Sequence, residues 1–408
     1  MKSNTVNIAV IGLGGRGRGM MMNLARMDDV RIGGVCDVYA DRVELAIKQV
    51  EEECGYAPIG VADYMELLER PEIDAVLITT SWQTHIRIAI DAMNAGKYVA
   101  SEVGGACTLE DCWDLVRTSE RTKKPCMLLE NCCYGRYELA LLNMVKQNLF
   151  GELVHCRCGY EHDLREEVAM GHINRHYRLD NYMHRNGDVY PMHGCLPMGK
   201  MLDINRGNRF VSLVSVASKA RGLNEWVSKN MPADSKLQGY PFAQGDVVTT
   251  ILKTAHGETV VITHDTTLPR PYSRGGYVQG TKGIWMEENN GVYFDGAEKH
   301  EWADFDETCL KKYEHPIWKW FLDEGVKGGH GGMDYLVLRA FVESIQANEQ
   351  PPIDVYDFAT YTAITPLSEA SVAMGGMPQA FPDFTNGRFT VREPERRWKY
   401  CLSEVCDC

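Results

Sequence analysis

A glycine-rich run near the N-terminus is the first group of residues with evident chemistry. The run Gly12–Gly17 (Gly-Leu-Gly-Gly-Arg-Gly) directly follows an apolar stretch and opens an amphipathic one. Glycines at this spacing let the backbone turn tightly and approach a pyrophosphate, whose charge meets the helix N-terminus. Asp37 ends the next apolar stretch, about 20 residues on, where a carboxylate accepts hydrogen bonds from a ribose and repels a 2′-phosphate. The pattern predicts a dinucleotide site that prefers NAD to NADP; the alternative is a flexible loop.

Polar and small residues follow three later apolar stretches, at the points where parallel strands would end. These runs are Thr79–His85, Ser101–Gly105 and Glu130–Tyr134. Ligands of open α/β sheets bind outside the carboxyl ends of the strands, so these runs are candidates for contacts with the nicotinamide and its ribose. Loop and helix-cap chemistry is the alternative explanation for Glu102 and Asn131.

Apolar stretches that alternate with amphipathic ones must position these residues. Short β-branched runs indicate buried parallel strands at Val6–Gly12, Val30–Asp37, Ala75–Thr80, Tyr98–Val103 and Cys126–Asn131. Helical spacing between them predicts right-handed crossovers, and therefore an N-terminal Rossmann domain with a doubly wound parallel sheet over residues 1–131. Longer strands and a hairpin at Ala255–Gly257 then predict a C-terminal α+β domain over residues 132–408, with a large, mostly antiparallel open sheet.

Composition excludes several classes of protein. The 408-residue chain has 43 Lys and Arg against 56 Asp and Glu, a net charge of −13, so its surface repels a nucleic-acid backbone. No apolar run reaches membrane-spanning length and no export signal is evident, so we expect a cytoplasmic protein with no membrane partner. The 14 cysteines include no CxxC pair, so we expect reduced thiols and no metal site.

The strand ends resemble those of the glucose–fructose oxidoreductase and inositol dehydrogenase superfamily, and the similarity extends over essentially the whole chain. In dehydrogenases of that superfamily the fourth strand ends in Glu-Lys-Pro, and the lysine assists hydride transfer. This chain has Glu102-Val103-Gly104 at the same place. The missing lysine argues against a plain sugar dehydrogenase.

A set of distributed motifs is more similar to glycoside hydrolase family 109, whose founding activity is an NAD-dependent α-N-acetylgalactosaminidase. The matching segments keep their order and approximate spacing; they are Ser101–Val103, Glu130–Arg136, Tyr160–Glu167, Tyr177–Leu179, Arg185–Gly187, Tyr190–Gly194 and Pro269–Arg274. Met192 is a departure, because the family commonly has a threonine there. The resemblance implies NAD as the cofactor and a small carbohydrate as the substrate.

The motif and the resemblance together assign residues to both ligands. The residues expected to bind NAD are Gly12, Gly14, Gly15, Arg16, Gly17, Asp37, Trp82, Gln83, Thr84, His85, Glu102, Val103, Asn131 and Tyr190. The resemblance implies a sugar site made of Tyr160, Arg178, Tyr190, Pro191, Met192, His193 and Tyr272. Within it, His193 and Tyr190 would be catalytic, with His193 as the base.

The implied reaction is hydrolysis by oxidation at C3 of the sugar, elimination of the C1 substituent, addition of water and reduction, without net consumption of NAD. Histidine titrates near neutral pH, so it suits proton transfer. Tyr190 and His193 share a face if a helical turn follows Pro191. Without the resemblance, the alternatives are an aromatic wall for Tyr190, a helix-start histidine for His193 and surface or core positions for the others.

Two further functions fit the same residues. A dehydrogenase of a sugar or cyclitol would release NADH, and a non-catalytic sensor would bind NAD and a sugar without turnover. Loss of the lysine fits the glycosidase and the sensor equally. We also expect a homo-oligomer, a dimer or larger, because an exposed sheet face often forms a dimer contact in this superfamily.

Overall fold

The computed structural model describes residues 5–104, 108–392 and 399–403. The described residues form two compact units: unit 1 contains residues up to 135, residues 316–359 and residues 399–403, and unit 2 contains residues 136–315 and 360–392. The chain passes from unit 1 to unit 2 after residue 135, close to the predicted domain border at residue 131. The prediction of one C-terminal domain over 132–408 missed the return of residues 316–359 to unit 1.

The secondary structure alternates in unit 1 and is rich in longer strands in unit 2. The strands are β1 (Val6–Ile11), β2 (Val30–Cys36), β3 (Ile59–Val61), β4 (Ala75–Ile78), β5 (Tyr98–Ser101), β6 (Cys126–Leu128), β7 (Leu153–Glu161), β8 (Phe210–Ala217), β9 (Val247–Thr254), β10 (Thr259–Asp265), β11 (Tyr277–Gly280), β12 (Gly283–Met286), β13 (Gly291–Phe294), β14 (Ala303–Asp304) and β15 (Gln379–Ala380).

The helices follow the same order along the chain. They are α1 (Gly15–Ala25), α2 (Ala40–Cys54), α3 (Met65–Leu68), α4 (Trp82–Asn94), α5 (Leu109–Thr122), α6 (Arg136–Lys146), α7 (Arg165–Ala169), α8 (Gly171–Asn174), α9 (Arg178–His184), α10 (Met192–Met201), α11 (Gly222–Asn230), α12 (Pro316–Glu324), α13 (Met333–Ala347) and α14 (Val355–Ala373). Among the described residues, none of these helices combines the length and the apolar character needed to cross a bilayer.

The sheet of unit 1 is parallel, as the alternating pattern predicts. Within the described residues its strand order is β3-β2-β1-β4-β5-β6, so the order reverses between β1 and β4. The ends of these two strands are aligned, with Ile11 opposite Ile78. Ligands of doubly wound sheets bind at this reversal point. The sequence reading missed β3, because three residues that are not fully buried and include Gly60 carry no strand signal.

The sheet of unit 2 is mixed and mostly antiparallel. Its strand order in the described residues is β14-β13-β12-β11-β7-β10-β9-β8-β15. The predicted hairpin joins β9 to β10, and β7 runs parallel to β10 with Tyr160 opposite His264. Both of these side chains are buried. The parallel pairing therefore brings the carboxyl ends of β7 and β10 to one edge of the sheet.

Helix α10 packs closely on strand β7 because two glycines meet. A Cβ on Gly194 of α10 would lie 2.5 Å from the backbone nitrogen of Gly159 in β7. No side chain fits between the helix and the strand at this point. The first turn of α10 is thereby held next to the end of β7.

Two glycines of α1 provide a test of such close packing. A Cβ on Gly17 would lie 2.0 Å from the carbonyl oxygen of Gly12, whereas nothing lies within 4 Å of one on Gly19. We expect Gly17→Ala to lower the free energy of unfolding by about 1–3 kcal/mol, because the backbone must shift. The exposed Gly19→Ala should raise it by roughly 0.5–1 kcal/mol through helix propensity. Urea denaturation measures both; a fully stable Gly17→Ala variant would contradict the described contact.

Candidate functional site

The glycine run of unit 1 forms a tight turn between β1 and α1. Gly12 has a φ of +98°, and a Cβ there would lie 2.6 Å from the carbonyl carbon of Thr79. The first turn of α1 carries no acidic side chain. Its backbone N–H groups and the helix dipole therefore favour an anion such as a pyrophosphate. The geometry at Gly12 and Gly17 leaves no room for larger residues, as a dinucleotide loop requires.

The carboxylate of Asp37 lies beside this turn, immediately after β2. Its Oδ2 accepts a hydrogen bond of 2.7 Å from the backbone N–H of Leu13, and its Oδ1 accepts one of 3.0 Å from that of Tyr39. The side chain is therefore fixed in place by two backbone donors. One of them belongs to the glycine turn itself, so the carboxylate lies directly beside that turn.

The segment after β4 is partly buried. Trp82 and His85 are within the core, Thr84 is half-buried and Gln83 is exposed. The ring of Trp82 lies directly against Gly104, where a Cβ would approach its Cδ1 to 2.1 Å. His85 shares a hydrogen bond of 3.1 Å with the carbonyl oxygen of Thr80, and burial lowers the pKa of its imidazole to about 4. At neutral pH this histidine is uncharged.

Asp334 connects two of the predicted cofactor residues, and the sequence reading did not find it. It lies at the start of α13 and is 3% exposed. The guanidinium of Arg16 donates to its two oxygens at 2.7 and 3.0 Å, and Nδ2 of Asn131 donates at 2.8 Å. Arg16 also donates from Nε to Glu102 at 2.9 Å. Three predicted residues, Arg16, Glu102 and Asn131, thus form one cluster around this carboxylate.

A glycine-flanked histidine completes the cluster. Nδ1 of His330 lies 2.8 Å from Oδ2 of Asp334, and this hydrogen bond raises the pKa of the imidazole. Burial favours the neutral form of Asp334, but its hydrogen bonds with His330 and Arg16 outweigh burial and hold its pKa well below the usual range. The run of glycines at 328–332 around a single histidine, just before a helix, was the signal available in the sequence.

In unit 2, four aromatic side chains of the predicted sugar site lie together. The ring centroids of Tyr160 and Tyr190 are 4.5 Å apart, and that of His193 is 5.5 Å from Tyr160. The hydroxyl of Tyr190 is 3.2 Å from Nε2 of His193, a hydrogen bond between the two predicted catalytic residues. Tyr272 is about half-exposed, with its ring 6.3 Å from that of Tyr160.

Helix α10 begins at Met192, directly after Pro191, as the predicted helical turn requires. Tyr190 and His193 therefore face one side. Pro191 and Met192 are themselves buried, whereas His193 is half-buried. The two buried residues lie between the tyrosine and the histidine in the chain.

A buried cation lies under the aromatic cluster. Arg178 is 7% exposed, and its guanidinium carbon is 4.9 Å from the ring centroid of Tyr190 and 6.0 Å from that of Tyr160. Its Nε lies 2.7 Å from a carboxylate oxygen of Glu167. His162 approaches the hydroxyl of Tyr160 to 3.3 Å, and burial lowers the pKa of its imidazole. The cluster therefore combines flat apolar faces with a fixed positive charge.

A buried carboxyl group supports the segment that leads into α10. Asp188 is fully buried, its Oδ1 accepts a hydrogen bond of 3.4 Å from the backbone N–H of Tyr190, and its Oδ2 has no partner among the described residues. Ser368 and Thr365 bond to its backbone. Burial raises the pKa of Asp188 to about 7. Asp188 was not among the site residues that the sequence predicts.

Comparison with protein families matches both parts of the chain. Residues 134–391 match the family described as glycosyl hydrolase 109, C-terminal domain, and residues 6–129 match the oxidoreductase family with an NAD-binding Rossmann fold. The chain is 41% identical over 418 residues to a glycosyl hydrolase family 109 protein of Stenotrophomonas maltophilia, covering 96% of this chain and 92% of that one. It is 40% identical over 408 residues to an α-N-acetylgalactosaminidase of Tannerella forsythia, covering 94% and 87%.

Solved structures share the fold. A levoglucosan dehydrogenase in complex with NADH and levoglucosan is similar with a TM-score of 0.70 and 16% identity, covering 93% of this chain and 100% of that one. An NAD-binding oxidoreductase from Klebsiella pneumoniae is similar with a TM-score of 0.71 and 17% identity, at 93% and 100% coverage. The N-terminal part of the chain is thus an NAD-binding Rossmann domain, as predicted.

Removing the charge of Asp334 should destabilise unit 1. We expect Asp334→Asn to lower the free energy of unfolding at pH 7 by about 1.5–3 kcal/mol, the usual worth of hydrogen bonds to a charged group. Because the folded pKa is depressed, this stability is present above the unfolded pKa, near 4, and is lost as pH falls below it. Denaturation at several pH values measures the difference, with the exposed Asp323→Asn of α12 as the control. Equal stability of the two variants at pH 7 would contradict the prediction.

Asp188 should give the opposite pH dependence. Its folded pKa, about 7, is above the ordinary value of about 4, so the wild type loses stability as pH rises from about 4 to 7. The Asp188→Asn variant lacks this titration. Its free energy of unfolding should therefore rise relative to that of the wild type by on the order of a few kcal/mol across that interval. Thermal denaturation between pH 4 and 8 is the measurement, with the exposed Asp234→Asn as the control. A constant difference over the interval would show that Asp188 titrates normally.

Proposed function

Because the chain belongs to glycosyl hydrolase family 109, we propose that it hydrolyses α-N-acetylgalactosaminides by an NAD-dependent route without net consumption of the cofactor. Two family relatives, from Tannerella forsythia and Shewanella oneidensis, bear the name α-N-acetylgalactosaminidase. The observation that carries the proposal is the hydrogen bond between Tyr190 and His193, set in an aromatic cluster over a buried arginine. This arrangement suits proton transfer at a sugar hydroxyl.

The residues of unit 1 are proposed to hold the cofactor. The turn at Gly12–Gly17 and the N-terminus of α1 would receive the pyrophosphate, and Asp37 the adenosine ribose. Glu102 and Asn131, which the cluster around Asp334 keeps in place, would face the nicotinamide half. When bound, NAD supplies a hydride acceptor for oxidation at C3 of the sugar and later returns the hydride.

Tyr190 and His193 are proposed to move the protons. The hydroxyl oxygen of Tyr190 would accept the proton of a sugar hydroxyl while donating its own to Nε2 of His193, since the two atoms are already 3.2 Å apart. The same pair can return the proton when the sugar is reduced. Such a relay needs no carboxylate pair, which fits the NAD-dependent exceptions among glycosidases.

The surrounding side chains are proposed to bind and orient the sugar. The rings of Tyr160 and Tyr272 offer apolar faces, and the guanidinium of Arg178 donates hydrogen bonds to oxygen atoms and stabilises enolate-like charge near C2. Arg178 is buried and ion-paired with Glu167, so its charge needs no reorganisation during the reaction. Unit 1 would thus be the NAD-binding domain and unit 2 the substrate-binding domain.

Self-association is a further part of the proposal. Two apolar side chains on one face of the unit 2 sheet are exposed, Val216 and Ile251, at 59% and 46%. Burying such a face would favour a homo-oligomer, a dimer or larger.

Release of the aglycone without accumulation of NADH is the test of the proposed reaction. The purified protein is incubated with 4-nitrophenyl α-N-acetylgalactosaminide while nitrophenolate and NADH are followed by absorbance. We expect nitrophenolate without net NADH. In D₂O the released sugar should carry deuterium at C2, because the elimination removes that proton. The protein would instead be a dehydrogenase if it released no nitrophenolate from the glycoside but accumulated NADH when it was given a free sugar.

Variants assign the roles of the two catalytic residues. We expect His193→Ala and Tyr190→Phe to lower kcat by roughly 10²–10⁴, the usual worth of general acid–base catalysis. The exposed His256→Ala, in the turn between β9 and β10, is the matched control and should keep full activity. Wild-type rates in both site variants would refute the proposed proton relay.

A further inference from the structure

Tyr272 is about half-exposed, yet the chain on both sides of it is tied to the sheet of unit 2. Before it, the guanidinium of Arg270 pairs with the carboxylates of Glu161 and Asp265, which lie opposite each other at the ends of β7 and β10. After it, the backbone of Ser273 exchanges two hydrogen bonds with that of Glu161, of 2.9 and 3.1 Å. These contacts fix the backbone at Tyr272, but a fixed backbone does not by itself select one rotamer for a half-exposed ring.

A second arginine, two residues after Tyr272, contacts the tyrosine side chain itself. Nη1 of Arg274 donates a hydrogen bond of 3.3 Å to the hydroxyl oxygen of Tyr272, and the guanidinium carbon lies 5.9 Å from the ring centroid. Nη2 of Arg274 pairs with Oε1 of Glu138 in α6. The side chains of Arg274 and Glu138 are 18% and 11% exposed, so salt screens this ion pair weakly. The guanidinium is thus held by a carboxylate while it holds the tyrosine hydroxyl.

The hydrogen bond with Arg274 fixes the far end of the tyrosine ring. The hydroxyl is the atom of Tyr272 most distant from the backbone, so a contact there restricts both torsions of the side chain. In this orientation the ring meets those of His162 and Tyr160 nearly at right angles, with centroids 5.2 and 6.3 Å apart. The planar fork of an arginine can contact two groups at once, which the single ammonium of a lysine does less well.

We propose that Arg274 is a positioning residue, held by Glu138, that orients the ring of Tyr272 as one wall of the sugar site. The inference rests on the proposed function, in which Tyr272 binds the sugar. Fixing a side chain before the ligand arrives removes an entropy cost that binding otherwise has to overcome. This benefit is the same for the ground state and the transition state, so its loss should raise KM and leave kcat nearly unchanged.

Kinetics with 4-nitrophenyl α-N-acetylgalactosaminide test this division between KM and kcat. We expect Arg274→Met to raise KM by roughly tenfold, the usual worth of a hydrogen bond from a charged group, and to change kcat by less than about twofold. Arg274→Lys keeps a cation for Glu138 and should still raise KM, whereas a role limited to the ion pair would be rescued by lysine. The matched control is Lys146→Met, which removes the ion pair of another α6 residue with Asp203 and should leave KM unchanged.

A double-mutant cycle shows whether Arg274 acts through the tyrosine hydroxyl. Tyr272→Phe keeps the ring but removes the group that Arg274 holds. In this background Arg274→Met should change KM by less than about twofold, because the two substitutions remove the same contact. A roughly tenfold rise of KM in both backgrounds would mean that the two residues act independently and would overturn the proposal.

A measurement without substrate separates failure of this inference from failure of the proposed function. The protein is labelled with 3-fluorotyrosine, and the fluorine NMR signal of Tyr272 is the one that Tyr272→Phe removes. We expect this signal to become narrower in Arg274→Met and in Arg274→Lys, because the released ring reorients faster than the protein tumbles, and to stay broad in Lys146→Met. The other tyrosine signals report whether each variant is folded.

The line width of the Tyr272 signal decides the inference even if no glycoside is hydrolysed. A signal that stays as broad as in the wild type in both Arg274 variants would overturn the positioning role. A narrowed signal in a protein that is inactive on α-N-acetylgalactosaminides would support that role and count against the proposed reaction alone.

Discussion

A buried carboxylate needs hydrogen-bond donors around it, and in unit 1 this requirement fixes the arrangement of several residues that are predicted to bind the cofactor. Asp334 meets it with the side chains of Arg16, Asn131 and His330. These come from the start of α1, from the segment that follows β6 and from the glycine-rich loop before α13. Leaving one buried charge unpaired is strongly unfavourable, so the three segments hold a single arrangement. These side chains are therefore organised in the absence of any ligand, and such preorganisation lowers the entropy cost of binding.

In unit 2 the organisation depends on close backbone packing. The two glycines at 159 and 194 bring α10 onto β7, and this contact places Tyr190 and His193 beside Tyr160. The parallel pairing of β7 with β10 supplies the edge on which the cluster lies. Backbone contact is suited to this purpose because it is stiff, whereas contacts through long side chains would place Tyr190 and His193 less precisely.

Most of the fold could be predicted from the sequence alone. Apolar runs of strand length separated by helical spacing identified the parallel sheet, and the turn at Ala255–Gly257 identified a hairpin of the second sheet. Local signals of this kind are strong because burial imposes a period on neighbouring residues. β3 has too few residues to show a period, and the return of residues 316–359 to unit 1 depends on contacts distant in sequence. Neither could be predicted from local patterns.

The candidate site was predictable to a similar extent. The spacing of the glycine run was enough to predict a dinucleotide site. The structure also brings together four residues of the predicted sugar site, Tyr160, Arg178, Tyr190 and His193. Asp334 and Asp188 were missed because an aspartate carries no mark of burial in the sequence. Their importance follows from partners that are dozens to hundreds of residues away, such as Arg16 for Asp334 and Thr365 for Asp188. The burial of a charged side chain is therefore evident only from the three-dimensional structure.

The discontinuous make-up of unit 1 has a consequence for biosynthesis. Arg16 and Asn131 emerge early from the ribosome, but their common partner Asp334 is made only after residues 136–315 of unit 2. Chains grow at about 5–20 residues per second, so this wait lasts on the order of tens of seconds. During that time the nascent dinucleotide half has its sheet but lacks the carboxylate that orders its edge. Docking of the 316–359 segment therefore comes late in maturation, and a fragment that ends at residue 135 lacks Asp334 and His330.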